Sequence, residues 1–271
     1  MWEFKVIDLI NHRNDLVGVL DFDKTLVDPK YGNLSLAIIH RLARSEKYGN
    51  RYKGLFREVL NKCETTREYD PLINGITQEL HNFAVKTIDW HSATFGAVKE
   101  TELDKPAKNF LKAVQKVPAV KFKIVTGCEE GATNSYFKNK IAEHIPNVKV
   151  EIKGTKIEPD GAGYFTGNTI GPIMNAEERV KETREFCFNK ISVGVGDSKI
   201  NDLPFLRYPT VSYLLRGPVT AYEIGHVNGN VEYIDRKDLH KKFKGFLNTD
   251  ARDIPLPITN LNVITPLVRR G

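Results

Sequence analysis

Two short apolar runs, far apart in the chain, each end in a cluster of acids. Val17-Gly18-Val19-Leu20 leads into Asp21-Phe22-Asp23-Lys24-Thr25, and Ile191-Ser192-Val193-Gly194-Val195 leads into Gly196-Asp197-Ser198-Lys199-Ile200-Asn201-Asp202. Such runs read as strands of a parallel sheet, and open α/β sheets build their sites at the carboxyl ends of their strands. Carboxylates gathered there from distant parts of a chain repel one another unless a cation lies between them. The pattern predicts an α/β fold with both acidic clusters at one edge of the sheet, arranged for Mg²⁺-dependent phosphoryl transfer.

Between Asp28-Pro29 and Lys105-Pro106 the periodicity changes. Tyr52, Leu55, Phe56, Val59, Leu60 and Cys63 fall at i, i+3, i+4, i+7, i+8 and i+11, a single apolar stripe of a helix. Leu36, Ile39 and Leu42 mark a helix before it; Ile73, Ile76, Leu80, Phe83, Ala84 and Ile88 mark one helix after it. Three or four amphipathic helices need a partner surface, so residues 29–105 are expected to form a helical cap inserted into a core made of residues 1–28 and 106–250. Residues 1–16 read as a short lead-in. The core resumes with a helix near Ala107–Val114, a strand ending at Thr126, a helix through Tyr136 and Ile141, and the alternating strand Val148–Ile152. Gly161-Ala162-Gly163 and Gly167-Asn168 flank a hairpin at Tyr164-Phe165. A helix from about Ala176, the strand Ile191–Val195 and strands at Thr210–Leu215 and Val231–Ile234 complete a doubly wound, mostly parallel sheet. Residues 251–271, with Pro255 and Pro257, are expected to form an extended tail.

Composition narrows the class. At 271 residues the chain can bury a full α/β core and an insert; 41% hydrophobic and 27% charged residues are ordinary for a globular protein. No apolar run approaches the ~20 residues that cross a bilayer, and the start, Met1-Trp2-Glu3-Phe4-Lys5, lacks the order of a signal peptide, so a soluble cytoplasmic protein with no membrane partner is expected. Cys63, Cys128 and Cys187 are scattered and odd in number, which suggests neither a disulfide framework nor a zinc site. Cys128 follows the strand ending at Thr126 and reads better as a small buried residue than as a reactive thiol. The net charge of +6 mildly favours anionic ligands but is dispersed among acids, so nucleic acid is a possible partner and not the favoured one.

Asp21, Asp23 and Thr25 match the Asp-x-Asp-x-Thr motif of the haloacid dehalogenase superfamily of phosphohydrolases. Thr126, in Lys123-Ile124-Val125-Thr126-Gly127, matches its second motif. Gly196, Asp197 and Asp202 match its fourth, and Leu203-Pro204-Phe205-Leu206 resembles the phosphoserine-phosphatase-like branch. Three ordered matches, each after a strand-like run, are far more specific than any one of them.

The resemblance implies a role for each residue. Asp21 would attack phosphorus and carry an aspartyl-phosphate; Asp23 would protonate the leaving oxygen, later take a proton from water, and offer its main-chain carbonyl to Mg²⁺. Asp197 would be a ligand of the ion beside Asp21, and Asp202 would sit behind it, orienting a metal-bound water or the backbone. Many relatives place that second acid one position earlier, where this chain has Asn201, so both stay open. The Thr126 hydroxyl and the Gly127 N–H would donate to phosphoryl oxygens. The cation of the third motif is open among Arg179, Lys181, Lys153 and Lys156. Asn175 followed by Glu178 starts a helix at Ala176, and at roughly 100° per residue Arg179 falls at the edge of the buried stripe while Lys181 points away, which favours Arg179. Cap candidates for substrate selection are Arg51, Tyr52, Trp90 and His91, each with a plain packing or surface reading as well. The favoured substrate is a small phosphorylated metabolite; the rivals are a phosphatase of nucleic-acid ends or another large partner, and a silent binding protein of the same fold.

Overall fold

The structure, a computed structural model, describes residues 5–13, 16–27, 33–45, 49–65, 69–117, 120–215 and 230–254. Its centre is a six-stranded parallel sheet built from β1 (Val17–Leu20), β2 (Lys121–Glu129), β3 (Lys149–Thr155), β6 (Ser192–Gly196), β7 (Val211–Leu215) and β8 (Val231–Ile234), in the order β3-β2-β1-β6-β7-β8. A separate antiparallel pair, β4 (Ile157–Pro159) and β5 (Phe165–Thr169), forms the hairpin read from the glycines. The sequence runs outward from β1 in both directions, so β1 and its neighbour β6 flank the point where the winding reverses. That is where an open α/β sheet leaves a crevice at its carboxyl edge.

The strands alternate between two apolar layers, as the period of two requires. Val17 and Val19 of β1 pack with Val125, Cys187, Phe205, Leu206 and Leu214, whereas Leu16 and Leu20 belong to the larger cluster with Phe110, Phe122 and Phe243. The first layer is covered by α8 (Ala176–Cys187) and the short α9 (Leu203–Leu206), the second by α6 (Lys105–Val114) and α10 (Leu239–Leu247), where the Phe110 and Phe243 rings meet edge to face at 5.4 Å. Each such side chain removed from water contributes ~1.5–3 kcal/mol relative to leaving it exposed.

Among the described residues, four helices lie between β1 and α6: α2 (Leu34–Arg44), α3 (Gly49–Thr65), α4 (Tyr69–Asn82) and α5 (Thr87–Glu100). The stripe read for α3 faces inward at Tyr52, Leu55 and Val59, and that of α2 at Leu36, Ile39 and Leu42. The single helix expected over Ile73–Ile88 is two. Ala84 takes a left-handed backbone, φ 44°, which ends α4, and Ile88 lies 67% exposed on the next helix. The inward face of α5 is made of Trp90, Ala93, Thr94, Gly96, Ala97 and Val98, mostly small residues that carry little apolar periodicity. These helices share one continuous apolar cluster with the sheet, and the hairpin docks on α4 through Gln78 Nε2 to Gly167 O (2.9 Å) and His81 Nδ1 with Phe165 O (3.0 Å).

The expected lead-in contains a helix, α1 (Val6–Arg13), whose Val6 and Ile10 are fully buried and whose start is tied to the end of the fold by Val6 N–H to Thr249 O, 2.9 Å. The helix expected through Tyr136 and Ile141 is α7 (Glu130–Tyr136), running into a π-helical turn at Phe137–Ile141. Most of the expected tail, residues 255–271, lies outside the described residues.

Candidate active site

The carboxyl ends of β1 and β6 open into a cavity of about 320 Å³ lined by Asp21, Asp23, Lys24, Asn33, Thr126, Arg179, Asp197, Ser198, Asn201 and Asp202. Two strands deliver most of it. The Asp21 N–H still donates to Val195 O of β6 (2.9 Å), so its carboxyl projects from the last rung of the sheet. Beyond it the chain turns sharply: Lys24 has φ 57°, a conformation uncommon outside glycine, and both Leu26 and Val27 N–H return to Phe22 O. On β6, Gly196 allows Asp202 to close in, since a Cβ there would stand 2.6 Å from that of Asp202.

Arg179 is the hub. The helix that carries it begins at Asn175, whose Oδ1 accepts from Glu178 N–H at 3.0 Å, and the phase so set turns Arg179 inward, 3% exposed. Its Nη1 reaches Asp21 Oδ1 at 3.2 Å and also pairs with Asp202 Oδ1, while its Nε donates to Met174 O at 3.3 Å. Lys181 points to solvent, its side chain 65% exposed beside Glu178. Lys153 and Lys156 pair instead with Glu151 and Glu130. Asp202 is fully buried, and its other oxygen accepts the N–H groups of Asp197 and Ser198, each at 2.9 Å. Asn201 is half-buried, its N–H on Ser198 Oγ. Of the two candidates it is therefore Asp202 that turns to Arg179, and both its oxygens are used to hold the backbone and the guanidinium.

Acids outnumber cations here, and their protons respond. Burial pushes the Asp21 carboxyl well above the ordinary carboxylate range, repulsion from Asp202 adds to it, and Arg179 opposes both. Burial, then Asp202, lifts Asp197 to about 7. Asp23 rises to about 6 through burial, resisted by hydrogen bonds from Cys128 and Leu34. Asp202 is raised by burial against the pull of Arg179. Carboxylate oxygens of Asp21, Asp197 and Asp202 lie within 4.8 Å of one another. An all-oxygen, hard donor set with surplus negative charge fits Mg²⁺.

Thr126 is buried at the cavity wall, where its Oγ1 accepts from Cys128 N–H (3.1 Å), leaving the hydroxyl proton to donate elsewhere. Gly127, by contrast, is not among the residues that line this cavity; it lines a separate small void with Ser35, Trp90 and Thr155. The cap candidates stand away from the cavity lining: Tyr52 OH donates to Asp89 Oδ2 (3.2 Å), Trp90 packs edge to face on Phe165, and His91 is exposed. The side chain of Arg51 lies outside the described residues. Sequence reasoning missed Asn33, which caps α2 by accepting from Ser35 and Leu36 N–H while lining the cavity, and Lys24. It also passed over the contact of Cys128 with Asp23. Lys24 and Cys128 each neighbour a motif residue, which was the signal available; nothing in the sequence marks Asn33 beyond its place before an apolar stripe.

No family model and no curated protein matches the sequence. Solved structures do match in shape. A probable phosphoserine phosphatase from Vibrio cholerae aligns over 85% of this chain and 67% of its own, at 11% identity and TM-score 0.55. Cytosolic 5'-nucleotidase IIIB, solved with cytidine, aligns over 89% and 90% at 12% and 0.55. A putative haloacid dehalogenase-like hydrolase from Burkholderia xenovorans LB400 aligns over 87% and 99% at 12% and 0.53. Identities this low speak for backbone architecture, and on that ground the chain has the haloacid dehalogenase fold.

Proposed function

We propose that this chain is a Mg²⁺-dependent phosphohydrolase that cleaves a phosphomonoester through an aspartyl-phosphate on Asp21. The observation that carries the reading is the convergence of Asp21, Asp23, Thr126, Arg179 and Asp197 on one cavity at the fold's crevice. Asp21 and Asp197, with the main-chain carbonyl of Asp23, would hold the ion; when bound it neutralises phosphoryl oxygens and lets an anionic nucleophile approach. Arg179 orients the Asp21 carboxylate and shares the charge of the phosphoryl group. An Asp21 oxygen bonds to phosphorus as the bond to the leaving oxygen breaks, and Asp23 supplies that oxygen with a proton. Asp23 then takes a proton from water, whose oxygen bonds to phosphorus and frees Asp21 and inorganic phosphate. The Thr126 hydroxyl offers a donor to the phosphoryl oxygens; the Gly127 N–H, next in the chain but outside the cavity lining, would reach them only if the end of β2 adjusted.

The favoured substrate is a small phosphate ester, since the cavity is compact and basic residues are scattered. Asp21→Asn is expected to abolish hydrolysis of aryl phosphates and of any ester found in a screen of phosphorylated metabolites, with the fold intact by circular dichroism. Excess chelator should do the same and added Mg²⁺ reverse it. Normal turnover by Asp21→Asn at saturating Mg²⁺ rejects the mechanism. Salt separates the substrate classes: six or more phosphate contacts to a nucleic acid lose ~10³-fold or more in affinity between 50 and 200 mM salt, whereas one small ester shows a shallow dependence. Steep salt dependence with turnover only of oligonucleotide ends would establish the nucleic-acid reading, and absence of turnover on every ester with Mg²⁺ bound would establish a silent binder.

A further inference from the structure

Asp23 is gripped by donors from two different elements. Leu34 N–H, in the first turn of α2, donates to its Oδ1 at 3.0 Å, and the Cys128 thiol of β2 donates to its Oδ2 at 2.7 Å. Cys128 is fully buried, and its own N–H is tied to Thr126 Oγ1, so the sulfur is fixed relative to the strand end that meets the phosphate. Ser35 Oγ donates to that sulfur and Asn33 Oδ1 lies near it, both at 3.6 Å. A carboxyl group turns easily about its last torsion, which is broad and roughly two-fold. Two donors on opposite oxygens fix that plane and still leave each oxygen a lone pair for a proton in transit.

We infer that Cys128 is a positioning residue whose thiol aims the Asp23 carboxyl at the leaving-group oxygen. The inference rests on the acid role proposed for Asp23. Removing the thiol leaves Oδ2 without this donor and lets the carboxyl rotate, so proton delivery suffers while attack by Asp21 does not. The loss then depends on how much the leaving group needs its proton.

Substituted phenyl phosphates, from p-nitrophenyl to unsubstituted phenyl phosphate, provide the series, measured with saturating Mg²⁺. Cys128→Ala is expected to lower kcat/KM by about 10-fold or more on phenyl phosphate, part of the ~10²–10⁴-fold that general acids supply, and by less than about 3-fold on p-nitrophenyl phosphate. That ratio reports the steps through loss of the leaving group and excludes the later water step in which Asp23 acts as base. Cys128→Val fills the site without a donor and reports the same dependence should the alanine variant fold poorly. Cys128→Ser restores a donor and should recover kcat/KM on phenyl phosphate to within about 3-fold of the parent. Equal losses on both esters, no loss on either, or no rescue by serine overturns the inference. Asp23→Asn, run in parallel, separates the two levels. A steepened leaving-group dependence in Asp23→Asn without one in the Cys128 variants sinks the inference alone; an unchanged dependence in Asp23→Asn sinks the acid role beneath it.

Discussion

A single guanidinium holds two buried carboxylates at the centre of the site, and that pairing shapes what substitution there will do. Arg179→Ala leaves Asp21 and Asp202 facing each other without their shared cation, and breaking a buried pair by removing one partner costs about 3–5 kcal/mol. The variant should therefore lose turnover by orders of magnitude and also unfold at lower urea in chelator. Lys181→Ala, two positions along and solvent-facing, should stay within about 0.5 kcal/mol of the parent and keep its activity. Urea titration and aryl phosphate turnover of the two variants check this; a silent Arg179→Ala would remove the hub from the mechanism. Arg179 was legible because a helix start and a helical phase suffice to orient a side chain. Asp202 against Asn201 was not legible, because the residues after β6 turn without a period. Which acid faces inward is decided by the two N–H groups of Asp197 and Ser198 and by the room Gly196 leaves.

At the scale of elements, the hairpin β4–β5 shows how a feature readable in sequence acquires its purpose only in three dimensions. Its glycines announced turns, but nothing local said that the hairpin would seat on α4. Gly167 has φ 89°, and a Cβ there would stand 3.0 Å from Gln78 Nε2 and 3.3 Å from His81 Cβ, the two side chains that dock the pair. Gly171 has φ 75° with open space around it. Gly167→Ala thus meets backbone strain and tight contacts with the docking helix that Gln78 and His81 must yield to, whereas Gly171→Ala meets strain alone. Strained backbone costs of order 1–3 kcal/mol, and Gly167→Ala is expected at or above the top of that range, Gly171→Ala near the bottom. Urea midpoints of the two variants decide the order, and a reversal would detach the hairpin from α4. The break between α4 and α5 escaped the sequence because Ala84 is a strong helix former and announces no stop, yet its left-handed backbone caps α4, with Ala84 N–H on His81 O (2.7 Å), Val85 N–H on Leu80 O (2.9 Å) and Val85 fully buried. Likewise α1 and α10 were missed because each is short, and α1 begins where a bridge between Lys5 and Asp250 joins residues distant in sequence.

For the molecule as a whole, the site sets the burial of several carboxylates, and then their mutual repulsion, against fold stability. Asp21, Asp23 and Asp197 all have folded values above the usual carboxylate range, Asp23 at about 6 and Asp197 at about 7. Between the ordinary carboxylate value and these, the native state binds more protons than the unfolded chain, so unfolding free energy falls as pH rises. The stability that these protons confer is complete near pH 4 and is lost as pH passes through about 6 and 7. Mg²⁺ replaces the protons with a cation that prefers the ionised form, so its contribution should be largest where theirs has gone. Saturation at a hundredfold excess over its dissociation constant adds about 2.7 kcal/mol. In chelator, the melting temperature is expected to fall from pH 5 to pH 8; with Mg²⁺ the two ends should converge, the gain appearing at pH 8 and vanishing near pH 5. Asp197→Asn, which removes one of the repelling charges and one ligand, should flatten the fall in chelator and weaken the rescue by Mg²⁺. A melting temperature that climbs over the same range in chelator, with no response to Mg²⁺ at pH 8, would mean that burial and crowding do not hold these carboxyls protonated and that the cavity is no cation site.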